Sequence, residues 1–310
     1  MAILENVVAG RRILLRTRTL IGRSPAADLQ LERAAVSGEH ACIVWVEGAW
    51  WVRDLGSRNG TWVGGDQLAP GQERRLERGA RIHFASQDDP WVLEEDAPPS
   101  LAACAVVGGE VRVAIGSVLA LPSEQDPIAT IYAHGAGPDG VGFWIAELPD
   151  GVQHVEDRDI VVVDGRAWRL VLPGPTVGTV DARVAQQEAP PCLRFVVSLD
   201  EEHVELWFEQ GAERVSLGAR AHNELLLVLA RRRLEDEGSP ESEQGWIYRD
   251  ELMAALRIDL PQLNLLVFRA RKVLDRAPGA LGAALIERRS STGQLRIGVG
   301  RIEIERPWTR

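Results

Sequence analysis

Gly22-Arg23-Ser24, Ser37-Gly38-Glu39-His40 and Ser57-Arg58-Asn59-Gly60-Thr61 are three short polar stretches set into a run of apolar residues. Between the second and third lie Ala41–Val46 (ACIVWV) and Trp50–Leu55 (WWVRDL), whose β-branched and aromatic content predicts strands. The polar stretches therefore fall in turns, and loops on a rigid sheet are where function concentrates. One arginine, one serine, one asparagine and several turn glycines on successive loops have the chemistry to converge on a single tetrahedral anion. Further out, Ala80–Phe84 (ARIHF) and Trp91–Leu93 (WVL) predict two more strands, so the whole segment reads as all-β.

In that order and at those separations, the Gly-Arg, Ser-x-x-His and Asn-Gly-Thr elements resemble a forkhead-associated (FHA) domain over residues 11–95, about a quarter of the chain. The resemblance implies a β-sandwich that binds phosphothreonine peptides through loops at one end. By the family's pattern Arg23 and Ser37 grip the phosphate, Arg58 lies over the same site, and Asn59 bonds the backbone of the bound peptide. Gly22, His40, Gly60 and Thr61 support that site, with His40 bracing the loop that carries Ser37 and Gly60 supplying a positive φ. The chemistry suits these roles, because hydrogen bonds to a charged phosphate are worth roughly 1.5–3 kcal/mol each and the arginine fork matches phosphate geometry. One position departs from the pattern. After the serine the family commonly has Arg or Asn as a further phosphate contact, and here Gly38 keeps only the backbone N–H, which predicts weaker affinity.

Length and composition bound the remainder. A chain of 310 residues predicts two or three domains, and 45% hydrophobic with 26% charged residues is ordinary for globular protein. Three cysteines, Cys42, Cys104 and Cys192, suggest a reducing compartment with neither a disulfide framework nor a zinc site. The opening Met-Ala-Ile-Leu-Glu-Asn lacks the apolar core of a signal peptide, and Leu225–Ala230 is too short an apolar run to span a bilayer. These features predict a cytoplasmic protein with no membrane partner. His83, His134, His154, His203 and His222 are scattered singly, and no nucleophile elbow, P-loop or zincin signature occurs. No catalytic residue, metal or cofactor is expected.

Charge is unevenly distributed along the chain. Residues 97–191 carry 12 acidic and 5 basic residues, a net −7. In contrast, residues 262–301 carry Arg269, Arg271, Lys272, Arg276, Arg288, Arg289, Arg296 and Arg301 against Asp275 and Glu287, a net +6 within a protein of −10 overall. Such local asymmetry points to a polyanion site. Around it, Leu193–Val197, Val204–Phe208 and Arg214–Leu217 predict strands, followed by helices over Ala221–Leu234, near Arg249–Leu256, and from Pro261 onward. In the third helix Leu263, Leu266, Val267, Ala270 and Leu274 recur at helical spacing and predict a buried stripe. Ala284–Glu287 and Gln294–Val299 close the segment as two strands around a basic tip.

Strands, three helices and a terminal hairpin make a winged helix-turn-helix, and residues 193–302 resemble the DNA-binding domain of OmpR/PhoB-type response regulators. The resemblance is carried by Leu265–Leu274 (LLVFRARKVL), similar to the recognition helix, and by Ile286–Ile297, similar to the wing. It implies that Asn264, Leu265 and Arg269 face base edges, that Arg271, Lys272 and Arg276 hold phosphates, and that Arg288 and Arg289 reach the neighbouring minor groove or backbone. Phe268 stands where the family usually has a basic residue. A solvent-facing phenylalanine beside Leu265 suits a protein contact as well as DNA.

The expected architecture is multidomain: an all-β FHA sandwich over 1–96, a β-rich middle over 97–178, a proline-bearing linker over 179–191 and an α+β winged helix over 192–310. The middle has weak internal parallels to the first sandwich, with residues 156–171 echoing 77–93 and 142–148 echoing 50–55. It reads either as a second, degenerate FHA-like sandwich without the phosphate motifs or as an unrelated small β domain. The function expected is a phosphothreonine reader coupled to DNA binding, a transcriptional regulator downstream of a Ser/Thr kinase. The alternative is a phospho-dependent scaffold whose winged helix binds protein.

Overall fold

A computed structural model describes residues 1–134, 143–174, 191–200, 203–275, 285–289, 292–299 and 301–306. These divide into two compact units, Met1–Ser100 with Val171–Gly174, and Leu101–Leu170 with Pro175–Arg310.

Eleven strands build the first unit: β1 (Ile3–Asn6), β2 (Arg12–Leu14), β3 (Arg18–Gly22), β4 (Leu29–Gln30), β5 (Ala41–Val46), β6 (Ala49–Asp54), β7 (Thr61–Val63), β8 (Asp66–Gln67), β9 (Glu73–Leu76), β10 (Arg81–Phe84) and β11 (Trp91–Glu95). They form a six-stranded sheet, β2-β1-β11-β10-β7-β8, and a five-stranded sheet, β4-β3-β5-β6-β9. The β5–β6 hairpin shows why this sequence folds locally. Val46 pairs with Ala49 across Glu47-Gly48, both at positive φ, the two-residue turn whose twist matches flanking strands. Register then puts Ile43, Trp50 and Val52 in a core shared with Leu4, Ile21, Ile82, Trp91 and Leu93. The Trp50 indole donates to the carbonyls of Asp96 and Ala97 and so anchors the end of the unit. The expected strands at 80–84 and 91–93 are β10 and β11.

In the second unit, β12 (Ala102–Ala105), β13 (Val111–Val113), β14 (Val118–Pro122), β15 (Pro127–His134), β16 (Phe143–Leu148), β17 (Gly151–Val155), β18 (Ile160–Val163) and β19 (Arg166–Val171) form two four-stranded sheets. Their orders are β13-β12-β19-β18 and β14-β15-β16-β17. Next come β20 (Cys192–Val197), β21 (Val204–Gln210) and β22 (Glu213–Ala219), then α1 (Asn223–Glu235), α2 (Arg249–Leu256) and α3 (Leu260–Leu274). A hairpin of β23 (Ile286–Arg288) and β24 (Leu295–Ile297) precedes β25 (Arg301–Glu305), which pairs in parallel with β20. The strand and helix positions expected from the sequence of this part are occupied by β20–β22, α1–α3 and the hairpin.

Local chemistry sets these helices. Asn223 opens α1 and donates to the carbonyls of Val204 and Gly218, tying the helix to β21 and β22. At the start of α3, Asp259 and Gln262 form a reciprocal capping box that brackets Pro261. Leu263, Val267, Ala270 and Leu274 are buried, with Leu266 packed partly against them, in a core with Leu225, Leu229, Ile286 and Ile297. Phe268 does not face solvent. It is 2% exposed and packs among Val118, Ala120, Tyr132 and Ile145 of the β14–β17 sheet. The reason is that α3 has two apolar neighbours, where the sequence pattern accounts for one.

Candidate functional site

In the first unit, three loops meet at one end of the sandwich. The chain leaving β3 runs alongside the loop before β5: Arg23 N donates to Ser37 O (2.8 Å), Ser24 N to Gly38 O (3.0 Å) and His40 N to Ile21 O (2.8 Å). Gly22 permits this approach, since a Cβ there would lie 2.0 Å from Gly38 O. The β6–β7 loop is fastened to the same place. Arg58 N donates to Ser37 Oγ (3.0 Å) and Asn59 Nδ2 to Ala35 O (2.7 Å).

His40 joins the two loops from beneath. It is fully buried, its Nδ1 accepts from Ser37 N (3.2 Å), and its Nε2 lies 3.0 Å from Gly60 O. Since Nδ1 accepts, Nε2 carries the proton and donates to Gly60. Burial pushes the imidazole below its usual value, outweighing the Gly60 carbonyl and Asp54, so the ring stays neutral as this geometry requires.

Asp54 holds the β6–β7 loop from its other end, a device the sequence reading missed. Its Oδ1 accepts from Gly56 N and Ser57 N (both 2.9 Å) and its Oδ2 from the Ser57 and Thr61 hydroxyls (both 2.7 Å). Burial would raise this carboxyl, but the hydrogen bonds from Ser57, Thr61 and Gly56 prevail and hold it below the usual range. The available signal was an Asp closing a strand two residues before a glycine, the pattern of an Asx turn. Gly60 sits at φ +85°, and Thr61 is buried.

Arg23, Ser37, Arg58 and Asn59 are thus brought together on cross-linked loops. Arg23, Arg58 and Asn59 are exposed and Ser37 is half-buried. Arg23 Nε donates to Val36 O (3.3 Å), and among the described residues neither Arg23 nor Arg58 has a carboxylate partner. Two uncompensated guanidiniums, a hydroxyl and an amide on a rigid loop set form a site ready for an anion.

The basic residues of α3 and the hairpin are placed differently. Arg269 is exposed, and Asn264 and Leu265 are half-buried. Arg271, expected at a phosphate, is instead fully buried. Its Nη1 and Nη2 donate to Glu147 Oε2 (2.9 Å) and Oε1 (2.6 Å), with further bonds to Thr130 Oγ1, the Tyr132 hydroxyl and Ile286 O. The guanidinium also lies 4.3 Å over the Tyr132 ring. Lys272 Nζ donates to Glu124 (3.2 Å), and Arg288 Nη1 reaches Glu147 at 3.5 Å. Arg289 pairs with Glu243 (2.8 Å) and stacks on Trp246. Each therefore has an acidic protein partner where the resemblance implied nucleic acid. Arg276 lies outside the described residues.

Burial alone would raise the Glu147 carboxyl, yet the charges of Arg271 and Arg288 hold it below the usual range. Among the described residues no group of His, Cys, Asp and Glu could hold a metal ion, and no helix is long and apolar enough to cross a membrane.

The sequence profile of the FHA domain matches residues 19–85. Among solved structures, the chain is similar to the FhaA FHA domain complexed with the intracellular domain of Rv3910, at 28% identity over 30% of this chain and 98% of that one, with a TM-score of 0.27. It is also similar to Mycobacterium tuberculosis EmbR in complex with a low affinity phosphopeptide, at 30% identity over 31% of this chain and 25% of that one (TM-score 0.29). A third similarity is to the N-terminal FHA domain of S. cerevisiae Rad53p in complex with a phosphothreonine peptide, at 22% identity over 30% of this chain and 89% of that one (TM-score 0.26). No curated protein matches the chain. Residues 19–85 are an FHA domain.

Proposed function

We propose that this chain is a phosphothreonine-peptide-binding signalling protein that couples Ser/Thr kinase signalling to DNA binding. Its FHA domain takes the phosphate of a modified partner on Arg23, Ser37 and Arg58, while Asn59 bonds the partner's backbone. The observation that carries this reading is the bonding of Ser37, Arg58 and Asn59 across two loops beside Arg23, with no carboxylate among the described residues on either arginine. A dianionic phosphate would supply the missing counter-charge. For the output, the reading draws on the sheet, three helices and hairpin of residues 192–305, the element order of a winged helix, and on exposed Arg269.

An oriented phosphothreonine peptide library tests the input. Selective capture over the unphosphorylated library is expected, and Arg23→Ala should weaken it roughly tenfold to a hundredfold, the value of a charged hydrogen bond or two. Absence of enrichment with the wild type removes the reading. Duplex DNA binding by the full chain across a salt series tests the output, since each neutralised phosphate steepens the salt dependence.

A second reading is favoured by one observation. Arg271, Lys272, Arg288 and Arg289, the cations that the resemblance assigns to nucleic acid, each already hold an acidic protein partner. The chain would then be a phospho-dependent scaffold or adaptor, indifferent to duplex DNA at every salt concentration.

A further inference from the structure

The face of α3 that turns towards the β14–β17 sheet meets a partner at each of its long side chains. Phe268 enters the apolar pocket of Val118, Ala120, Tyr132 and Ile145. Glu147 takes the Arg271 fork through both oxygens, the bidentate geometry a phosphate offers an arginine. The same carboxylate draws Arg288 from the hairpin, so one buried acid is shared by a cation of the helix and a cation of the hairpin. Glu124 takes Lys272, and Asp275 at the helix end accepts from Ser117 N (3.0 Å) and from its hydroxyl. The two acids that meet these cations, Glu124 and Glu147, come from the segment of net −7, and the cations come from the stretch of net +6.

Removing these cations from water is costly without full compensation. Here Arg271 has five hydrogen-bond contacts from its Nη atoms, and only its Nε lacks a partner. The contact is a built surface, with apolar filling and an acid against each of the three cations. A nucleic-acid backbone would require those same groups: a bidentate anion on Arg271, a neighbour on Lys272 and a third on Arg288.

We propose that the β14–β17 sheet is an intramolecular cover that stands in for nucleic-acid backbone, closing α3 and the hairpin to duplex DNA until it is released. The inference rests on the DNA-binding reading above and adds its regulation. Arg269, which lies outside the cover, remains available for a first, weak encounter.

The test uses the full chain and a random duplex pool at low salt. Glu124→Lys with Glu147→Gln removes the acids of the cover without touching the helix. A control, Asp150→Lys with Glu156→Gln, makes the same change in charge at exposed positions of the same segment. The cover variant should bind duplex at least roughly tenfold tighter than wild type, with faster hydrogen exchange in α3, while the control stays near wild type. A lock, Ser117→Cys with Asp275→Cys, built into the cover variant should return binding to the wild-type level when oxidised and release it when reduced. This comparison is free of any change in net charge. Should Glu147→Gln unfold the unit, the oxidised and reduced lock is compared in the Glu124→Lys background alone. Equal duplex binding by wild type, cover variant and oxidised lock overturns the cover and leaves the DNA reading standing. No duplex binding by any of them, with α3 exchange visibly faster in the cover variant, overturns the DNA reading and the cover with it.

Discussion

Gly22 and Gly38 face each other across two of the converging loops, and their constraints are opposite. A Cβ at Gly22 would strike the Gly38 carbonyl at 2.0 Å, a backbone atom that cannot step aside. Gly22→Ala is therefore expected to part the two loops, break the Arg23–Ser37 and Ser24–Gly38 bonds, and destabilise the unit by about 1–3 kcal/mol, the cost of forced overpacking. Chemical denaturation of the variant, together with loss of phosphopeptide capture, checks this. At Gly38 a Cβ meets nothing within 4 Å. Gly38→Asn should therefore leave stability nearly unchanged and add an amide donor beside the site. With a charge-assisted bond worth roughly 1.5–3 kcal/mol, phosphopeptide affinity should rise by about tenfold or more. Fluorescence anisotropy reads the gain, and unchanged affinity would place the phosphate away from position 38.

At the scale of elements, the Arg271–Glu147–Arg288 triad joins α3, β16 and β23, and it explains what the sequence could and could not disclose. The capping residues, the proline at the start of α3 and the apolar stripe are local patterns, so the helix was legible. The three loop motifs that converge at one end of the sandwich were legible for the same reason, each being a contiguous turn. Phe268 and Arg271 were not, because their partners in the β14–β17 sheet lie more than 100 positions away, in a sheet whose own signal is only alternation. A surface cation and a buried one look alike until that sheet is placed. The triad also has a measurable signature. Glu147→Ala leaves two buried guanidiniums uncompensated and should cost about 3–5 kcal/mol, whereas Glu147→Leu with Arg271→Met and Arg288→Leu should recover most of that loss. Acid should expose the same pairing. The folded-state value of Glu147 lies below its unfolded one, so its stabilisation is complete above the ordinary glutamate value of about 4.3 and fades as pH falls through the lower folded value. Unfolding curves of the wild type should steepen in that acid window, and those of the triple variant should lack the part contributed by Glu147.

The whole molecule divides where its cores divide, and this organisation has thermodynamic consequences. β14–β16 share buried contacts with α3 and the hairpin through Phe268 and the triad, whereas Trp50 and Trp91 belong to the core of the first unit. Calorimetry of the full chain should then show two transitions, with β14–β17 and α1–α3 losing hydrogen-exchange protection together. Three transitions, with the middle sheets melting apart from the helices, would contradict the shared core. Each transition should answer to its own perturbation. Glu147→Ala should lower the transition of the second unit and leave the first in place. Phosphothreonine peptide at a hundred times its Kd adds about 2.7 kcal/mol to whatever binds it. In a unit of about 100 residues that corresponds to a rise in melting temperature on the order of 10 °C. That rise should fall on the first transition and shrink to about half or less in Arg23→Ala. A ligand stabilises a remote unit only if its binding is coupled to that unit's own equilibrium. A phosphopeptide-induced downward shift of α3 protection in the wild type, needing correspondingly more peptide in Arg23→Ala, would therefore be the direct sign that peptide binding releases the covered helix.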